Sequence, residues 1–427
     1  MSNSKQAHLV RELDITALVV YYFSTIVGVG IFIVPLFAAK IAGPASLISW
    51  MLALLCAYPF AMIFAHISQR YQVSGSIQKF LEDAWGNKFG KSMALFLVVS
   101  ALFGNALLGF AAAQYCNEFL NSEYNIYWIG LAFLIVPVLF NLLKVGLSSK
   151  IQTFSLISLV VLVEAVVVSS VPEFNSNNLE PFFPNGWGAI IPAVAICFYS
   201  ITGWENVDAL AEEVKDPVKT YRKAAKIAVG LIALFYMSIA LTVVLVMDYE
   251  ALGDVNTILT AILNVTLGAT ASKLGGAMAI VLLVLGANAW VFGTSRIIYA
   301  LARDGILPKS LTKISSNKVP YYAVMAQLIP YFLIAASFVF ADMHQDTVVE
   351  ITSLNYLLLY TIIFFSGIKI FTTHRLKGLS AAAMLITAYL LLQGAYHVIG
   401  ISVLLLLVCF SYVYFLPRRK IVSPSKV

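Results

Sequence analysis

The sequence predicts an all-α membrane protein of twelve transmembrane helices, built as a five-plus-five inverted repeat with discontinuous helices one and six. Composition points there first. Of 427 residues, 60% are hydrophobic and only 11% charged, and the mean hydropathy is +0.88. Soluble domains carry about 25% charged residues, so this chain cannot hide its apolar surface inside a soluble globule. Segmentation is the second observation, because a membrane span needs about 20 apolar residues and the chain supplies twelve such stretches. The third is a pair of Gly- and hydroxyl-rich interruptions at membrane depth, one in the first stretch and one in the sixth.

In order, the expected spans are 14–41, 45–69, 90–116, 126–146, 151–171, 186–213, 223–247, 273–302, 320–340, 347–371, 379–397 and 398–416. The last two are separated only by the Gln393 to Gly400 region. Residues 1–427 read as a single membrane transport domain. Within it 14–171 form a first repeat, 186–371 a second, and 379–416 two additional helices. The polar stretches Gln69 to Lys91 and Arg303 to Lys318 are each long enough for a short surface helix.

Orientation follows from Lys and Arg, which concentrate in cytoplasmic loops. Of the 27 basic residues only Lys40 and Lys273 fall on the opposite side of the alternation, leaving 25 on one side. Both termini are therefore expected in the cytoplasm. The net charge of +6 reflects this asymmetry and is no nucleic-acid signal. The polar start holds Lys5 and Arg11, and the apolar run after it is too long for a signal-peptide core, so it is expected to be retained. Cys56, Cys116, Cys197 and Cys409 stand far apart, without metal-ligand spacing, and read as small apolar residues.

The first interruption is Ser24-Thr25-Ile26-Val27-Gly28-Val29-Gly30-Ile31-Phe32. Glycine disfavours helix by about 1 kcal/mol relative to alanine and allows close backbone approach. A helix broken here leaves peptide groups unpaired, which is tolerated only where the break is buried in protein or lines a cavity. The bland alternative is a small-residue packing face. The second interruption, Phe198-Tyr199-Ser200-Ile201-Thr202-Gly203-Trp204-Glu205, lies in the sixth span, which enters from the opposite side. Paired breaks in two inverted halves mark a transporter substrate site. The N–H groups and positive dipole end of the second half of helix one, after Gly30, favour a carboxylate. The carbonyls ending the first half of helix six, near Tyr199 to Thr202, favour an ammonium. A zwitterionic α-amino acid carries both.

These residues resemble the amino acid–polyamine–organocation transporters. Gly28-Val29-Gly30-Ile31-Phe32 followed by Pro35 is similar to that family's helix-one signature. Phe198 to Tyr221 is similar to its helix-six signature, and Arg303-Asp304-Gly305 with Leu307-Pro308 to the turn after helix eight. The three motifs span about 14–308; the rest matches in length and hydropathy. Methionine and branched-chain amino acid exporters of bacteria look closest, with the arginine/agmatine antiporters a near second. The resemblance implies a LeuT-like fold and a bacterial inner-membrane location. It also implies backbone contacts to substrate from Ile26, Val29, Gly30, Tyr199 and Thr202, a side-chain-stacking Trp290, and a polar Asn105 beside the pocket. Proton-coupled relatives carry a Lys in helix five. Here Ser158-Leu159-Val160 holds none.

Glu205 follows the second break, and an intramembrane acid is a functional candidate by default. Asp208 and Glu212 fall within about 60° of it on a helix, so the three are placed along a cytoplasmic vestibule, with Glu205 and Asp208 in a gating or proton-linked role. Glu205 reads alternatively as a cap of the second half-helix. Arg296, about two turns before Arg303, is expected to snorkel toward the cytoplasm. The expected substrate is a neutral apolar L-amino acid such as methionine, leucine, isoleucine or valine, moved by a secondary transporter, with outward movement one option. An arginine/agmatine or polyamine antiporter is the alternative. A channel would need a continuous polar file and an enzyme a nucleophile–base or metal constellation; neither is evident. No cofactor or metal is called for. The partners are the amino acid and the bilayer, with a coupling proton and a homodimer left open.

Overall fold

The computed structural model describes residues 11–28, 30–143, 145–340 and 345–416. Val29 lies outside them, as do Lys5, Lys144 and the basic residues after Leu416. Among the described residues the architecture is all helical, with no sheet beyond one isolated bridge between Leu13 and Val214.

Ten stretches among the described residues are long and apolar enough to cross a membrane. Two features separate that figure from the twelve expected segments. The first two segments run on as one stretch, Ile15–Tyr71, and the fourth, Ile126–Phe140, is shorter than a full span. The first stretch comprises α1 (Ile15–Val27), α2 (Gly30–Ala42) and α3 (Ser46–Tyr71). Asp14 caps α1 by accepting from the Ala17 N–H at 2.9 Å, satisfying one of the orphan donors of a helix start. Next come α4 (Ser76–Trp85), α5 (Asn87–Leu120), α6 (Ile126–Phe140) and α7 (Val145–Ser170). In α4 the apolar residues Ile77, Phe80, Leu81 and Ala84 recur on one face and are buried, which makes it the surface helix expected in 69–91. The matching expectation for 303–318 fails: that loop forms only a short 3-10 turn at Lys309–Thr312.

The sixth segment is divided into α8 (Ile190–Tyr199) and α9 (Trp204–Asp208), followed by α10 (Pro217–Val246). The eighth begins earlier than its hydropathy suggests. Helix α11 (Ile258–Arg303) contains a kink at Gly268, whose φ of 81° is open to glycine, so a preceding helical stretch is joined to the span. The ninth divides at residues 326–327 into α12 (Tyr321–Met325) and α13 (Leu328–Phe340). Then follow α14 (Gln345–Ile370), α15 (His374–Leu392) and α16 (Tyr396–Phe415). The final turn lies at 393–395, at the start of the expected Gln393 to Gly400 region, so the eleventh helix ends sooner than 397.

The burial pattern is inside-out relative to a soluble protein. Leu55, Leu234, Leu392 and Leu404 are exposed on outer helix faces, where lipid tails replace water. Ser24, Thr25, Ser200, Thr202, Glu205 and Asp208 are buried at the centre, where α1, α8 and α9 meet α10, α11 and α14. Small residues let these helices approach. A Cβ on Gly109 of α5 would lie 2.8 Å from Leu134 of α6, and one on Gly130 2.8 Å from the Gly109 backbone.

Candidate functional site

Helix α1 stops at Val27, and the carbonyls it leaves open are taken by side chains from distant helices. Trp290 of α11 donates its indole N–H to the Thr25 carbonyl at 2.8 Å. Tyr236 of α10 donates to the carbonyls of Ile26 (2.9 Å) and Val27 (3.3 Å). The Tyr236 ring is itself fixed by stacking on Trp50 of α3, 4.8 Å between centroids. Helix α2 restarts at Gly30, and its first N–H groups have no intrahelical partner by construction. A Cβ on Gly30 would sit 2.8 Å from Ser200 Oγ and closer still to Tyr236 Oη. Gly30 is therefore the point where break one packs against break two.

Break two satisfies itself locally. The Ser200, Ile201 and Thr202 amides bond back to Cys197, Phe198 and Tyr199 at 3.0 to 3.2 Å, and Thr202 Oγ1 donates to the Tyr199 carbonyl at 2.7 Å. The Trp204 indole N–H reaches the Ile201 carbonyl at 2.9 Å. Gly203 takes φ 117°, a left-handed conformation that glycine adopts without penalty. Its missing side chain also lets the backbone pass Thr25, since a Cβ there would lie 3.0 Å from the Thr25 carbonyl oxygen. The two interruptions thus touch each other, Gly203 against Thr25 and Gly30 against Ser200.

Glu205 accepts the Gly203 N–H on Oε2 at 3.1 Å, and the same oxygen accepts the Tyr360 hydroxyl from α14. This is the capping arrangement that the sequence allowed, with a long-range tyrosine added. Asp208 accepts the Ser76 hydroxyl. Both acids line one small cavity with the 74–78 segment. Glu212 is set apart: it binds the Ser74 N–H at 3.0 Å and Arg303 at 3.1 Å. Beside the breaks, Trp290, Tyr356, Tyr360 and Phe198 form a chain of ring contacts at 5.8 to 6.2 Å. Aromatic and apolar side chains surround the breaks, together with the buried hydroxyls of Ser24, Thr25, Ser200 and Thr202 and the Glu205 carboxylate.

Ile26, Gly28, Gly30, Tyr199, Thr202, Gly203, Glu205 and Trp290 are brought together around the two breaks. Asn105 is bonded away from them. Its amide donates to Tyr331 Oη of α13 at 2.6 Å, Tyr331 donates to Gln327 at 3.0 Å, and Gln327 donates to the Val291 carbonyl at 3.1 Å. Arg296 does not snorkel. It is fully buried, pairs with Glu213 at 2.8 Å and lies 3.5 Å over the Phe292 ring. A counter-ion delivered by the loop after α9 removes the need to reach water. Lys40 donates to the backbone carbonyls of Val255 (2.8 Å) and Gly253 (3.2 Å).

Sequence reasoning missed Tyr236 and Tyr360, which complete the two breaks, and the buried amide cluster in which Asn141 bonds Asn288 at 2.8 Å and Asn288 bonds Gln152 at 3.3 Å. The amides offered a signal, being uncharged polar residues within or at the ends of apolar segments. The tyrosines offered none, because this chain has 21 of them.

The family model for amino acid permeases matches residues 13–427. The chain belongs to that family, within the APC superfamily, and is a multi-pass membrane protein. It is similar to an uncharacterized amino acid permease, YecA, of Bacillus subtilis, 25% identical over 73% of this chain and 74% of the relative. The branched-chain amino acid permease BcaP of the same organism is 24% identical over 75% and 74%. A putative amino-acid transporter of Methanocaldococcus jannaschii is 26% identical over 88% of this chain and 96% of its own length.

Proposed function

We propose that the protein is a secondary active transporter of neutral, apolar L-amino acids that works by alternating access. The observation that carries this reading is the contact between two interrupted helices, with Gly203 against Thr25 and Gly30 against Ser200. On this reading the twelve spans form two inverted five-helix repeats plus α15 and α16, both termini are cytoplasmic, and the host membrane is a bacterial inner membrane. The α-carboxylate binds the N–H groups opening α2. The ammonium takes carbonyls of the breaks, displacing the hydroxyl of Tyr236 from Ile26 and Val27. The ring chain from Trp290 to Phe198 receives the side chain. Glu205 and Asp208 form the charged part of the cytoplasmic gate. Branched-chain substrates are supported by the name of the BcaP relative, and outward movement is the option that the resemblance to exporters supports.

The test is counterflow of labelled leucine or methionine in proteoliposomes, competed by analogues. Charge-assisted hydrogen bonds contribute about 1.5–3 kcal/mol each, so leucine methyl ester, which lacks the anionic charge, is expected to compete at least about tenfold more weakly than leucine. Isoamylamine should fail likewise. An ester or amine that competes as well as the amino acid sinks the carboxylate assignment and favours an amine carrier. Flux that never saturates with substrate would point to a channel.

A further inference from the structure

Where α4, α14 and α16 end against the start of α5, two ammonium groups lie on aromatic rings and meet no carboxylate among the described residues. Lys369 of α14 stands 4.2 Å over the Trp85 ring and donates to the Ala84 carbonyl at 2.6 Å. Lys88, in the first turn of α5, stands 3.9 Å over the Tyr414 ring and donates to the Tyr414 carbonyl at 3.3 Å. An ammonium carries three donors, so each lysine keeps two that these bonds do not use. The rings beneath them are fixed. Trp85 donates its indole N–H to Ser366 Oγ at 2.7 Å and stacks on Phe365 at 5.4 Å. Phe89 links Trp85, 5.9 Å away, to Phe410 of α16 at 5.3 Å. The shelf is open to its surroundings: Trp85 is 38% exposed, Phe365 49% and Tyr414 64%. Both lysines are exposed as well.

A lysine at a membrane edge ordinarily extends its charge toward water. These two lie instead on ring faces, which attract a cation, at the level where Trp and Tyr sit in a bilayer. The neighbouring acids are engaged elsewhere. Glu82 pairs with Lys79 at 2.8 Å, and Asp83 accepts the Tyr71 hydroxyl at 2.7 Å. After Glu350 the sequence holds no Asp or Glu, while Lys369 is followed by Arg375 and Lys377. Helix α15 opens only three residues after α14 ends, so those two bases enter on the same membrane face as Lys369. This surplus of positive charge favours an anion. A soluble anion would leave Trp85 and Phe365 uncovered, whereas acyl chains cover them. A zwitterionic headgroup would bring its own cation against two lysines. We propose that this aromatic shelf binds the phosphate of one anionic phospholipid, with Lys88 and Lys369 donating to its oxygens and the acyl chains lying over Trp85 and Phe365.

The site requires only that the chain spans a membrane, and it stands apart from the transport reading. The experiment is a melting series on the purified full chain in detergent, with phosphatidylglycerol, phosphatidylcholine or glycerol 3-phosphate added at constant ionic strength. A ligand that binds only the folded state raises the midpoint with its concentration. The parent midpoint should rise with phosphatidylglycerol and stay nearly level with the other two. Losing one lysine that faces an anionic headgroup should raise the lipid needed for half the effect about fivefold. Lys88→Gln combined with Lys369→Gln should then need about 25-fold more. Should that pair fail to fold, Lys88→Gln alone carries the test, because Lys88 is exposed and makes the longer carbonyl bond. Lys223→Gln combined with Lys226→Gln removes as much charge from exposed positions of α10 and should keep the parent response. A parent midpoint indifferent to phosphatidylglycerol overturns the site, and so does an undiminished response in Lys88→Gln. An equal rise with phosphatidylcholine makes the effect a general one of lipid, and an equal rise with glycerol 3-phosphate assigns the shelf to a soluble anion. An equal loss in the α10 pair assigns the effect to overall charge. Each of these three results overturns the proposal.

Discussion

The two interruptions solve one problem in opposite ways. Break one has its carbonyls satisfied from outside: Tyr236 is 210 residues from Ile26 and Trp290 is 265 residues from Thr25. Break two satisfies most of its own groups: Thr202 and Trp204 donate to the Tyr199 and Ile201 carbonyls and Glu205 accepts the Gly203 N–H, each within three residues of its partner, with the Tyr360 hydroxyl on Glu205 added from a distant helix. The self-satisfied break keeps its shape as long as its own sequence does. The other depends on two neighbouring helices staying where they are. A transporter needs an element that responds when surrounding helices shift, and break one has that property.

Gly30→Leu should give the largest effect. Its side chain would enter space held by Ser200 Oγ and Tyr236 Oη, at one of the two points where the breaks pack together. Counterflow is expected to vanish while the protein still inserts and elutes as a single species. Normal substrate affinity in that variant would remove the site from the breaks.

Tyr236→Phe comes next. It keeps the ring stacked on Trp50 but withdraws the donor from the Ile26 and Val27 carbonyls. Leaving a buried acceptor unsatisfied costs about 1–3 kcal/mol. The thermal midpoint in detergent should fall clearly, and a midpoint equal to the parent would mean that break one does not rely on α10.

Glu205→Gln should cost less, about 1 kcal/mol, the difference between a charge-assisted and a neutral hydrogen bond. Glutamine still offers an acceptor to the Gly203 N–H. Stability is thus nearly spared, while the transport rate and its pH profile are expected to change. If both match the parent, Glu205 serves only as a cap.

This contrast also explains what could be read from the sequence. Break two was legible almost residue by residue, because Thr202, Gly203 and Glu205 act within one turn of chain. Break one was legible as a place, through Gly28 and Gly30, but its partners were not. Nothing local distinguishes Tyr236 from the other tyrosines or links it to Ile26. The partners of Asn105 and Arg296 were hidden for the same reason. A polar residue in an apolar helix announces that it has a partner, but the partner's identity, Tyr331 for one and Glu213 for the other, is settled by packing between distant segments. The bounds of the spans were legible only in part. Hydropathy windows locate apolar runs but not the Gly268 kink or the turn at 326–327, which depend on backbone geometry.

Thr202→Val gives the smallest and most discriminating effect. Thr202 Oγ1 donates to the Tyr199 carbonyl at 2.7 Å, but that carbonyl also receives the Thr202 amide at 3.2 Å. Valine keeps the branched shape and the amide, and loses only the hydroxyl. The Tyr199 oxygen therefore retains a donor, and the expected loss is about 0.5 kcal/mol, at the foot of the range for a single hydrogen bond. At break one the equivalent loss removes the shared donor of two carbonyls, supplied across helices. The midpoint drop in Tyr236→Phe should then be at least about twice that in Thr202→Val. The two losses should add in the double variant only if the breaks are independent, since neighbours that share a network couple. Because Ser200 lies against Gly30 and Gly203 against Thr25, the double variant is expected to fall short of or exceed the sum by about 0.5 kcal/mol or more. Strict additivity would mean that the two interruptions touch without influencing each other, and that a ligand bound between them has no reason to move both.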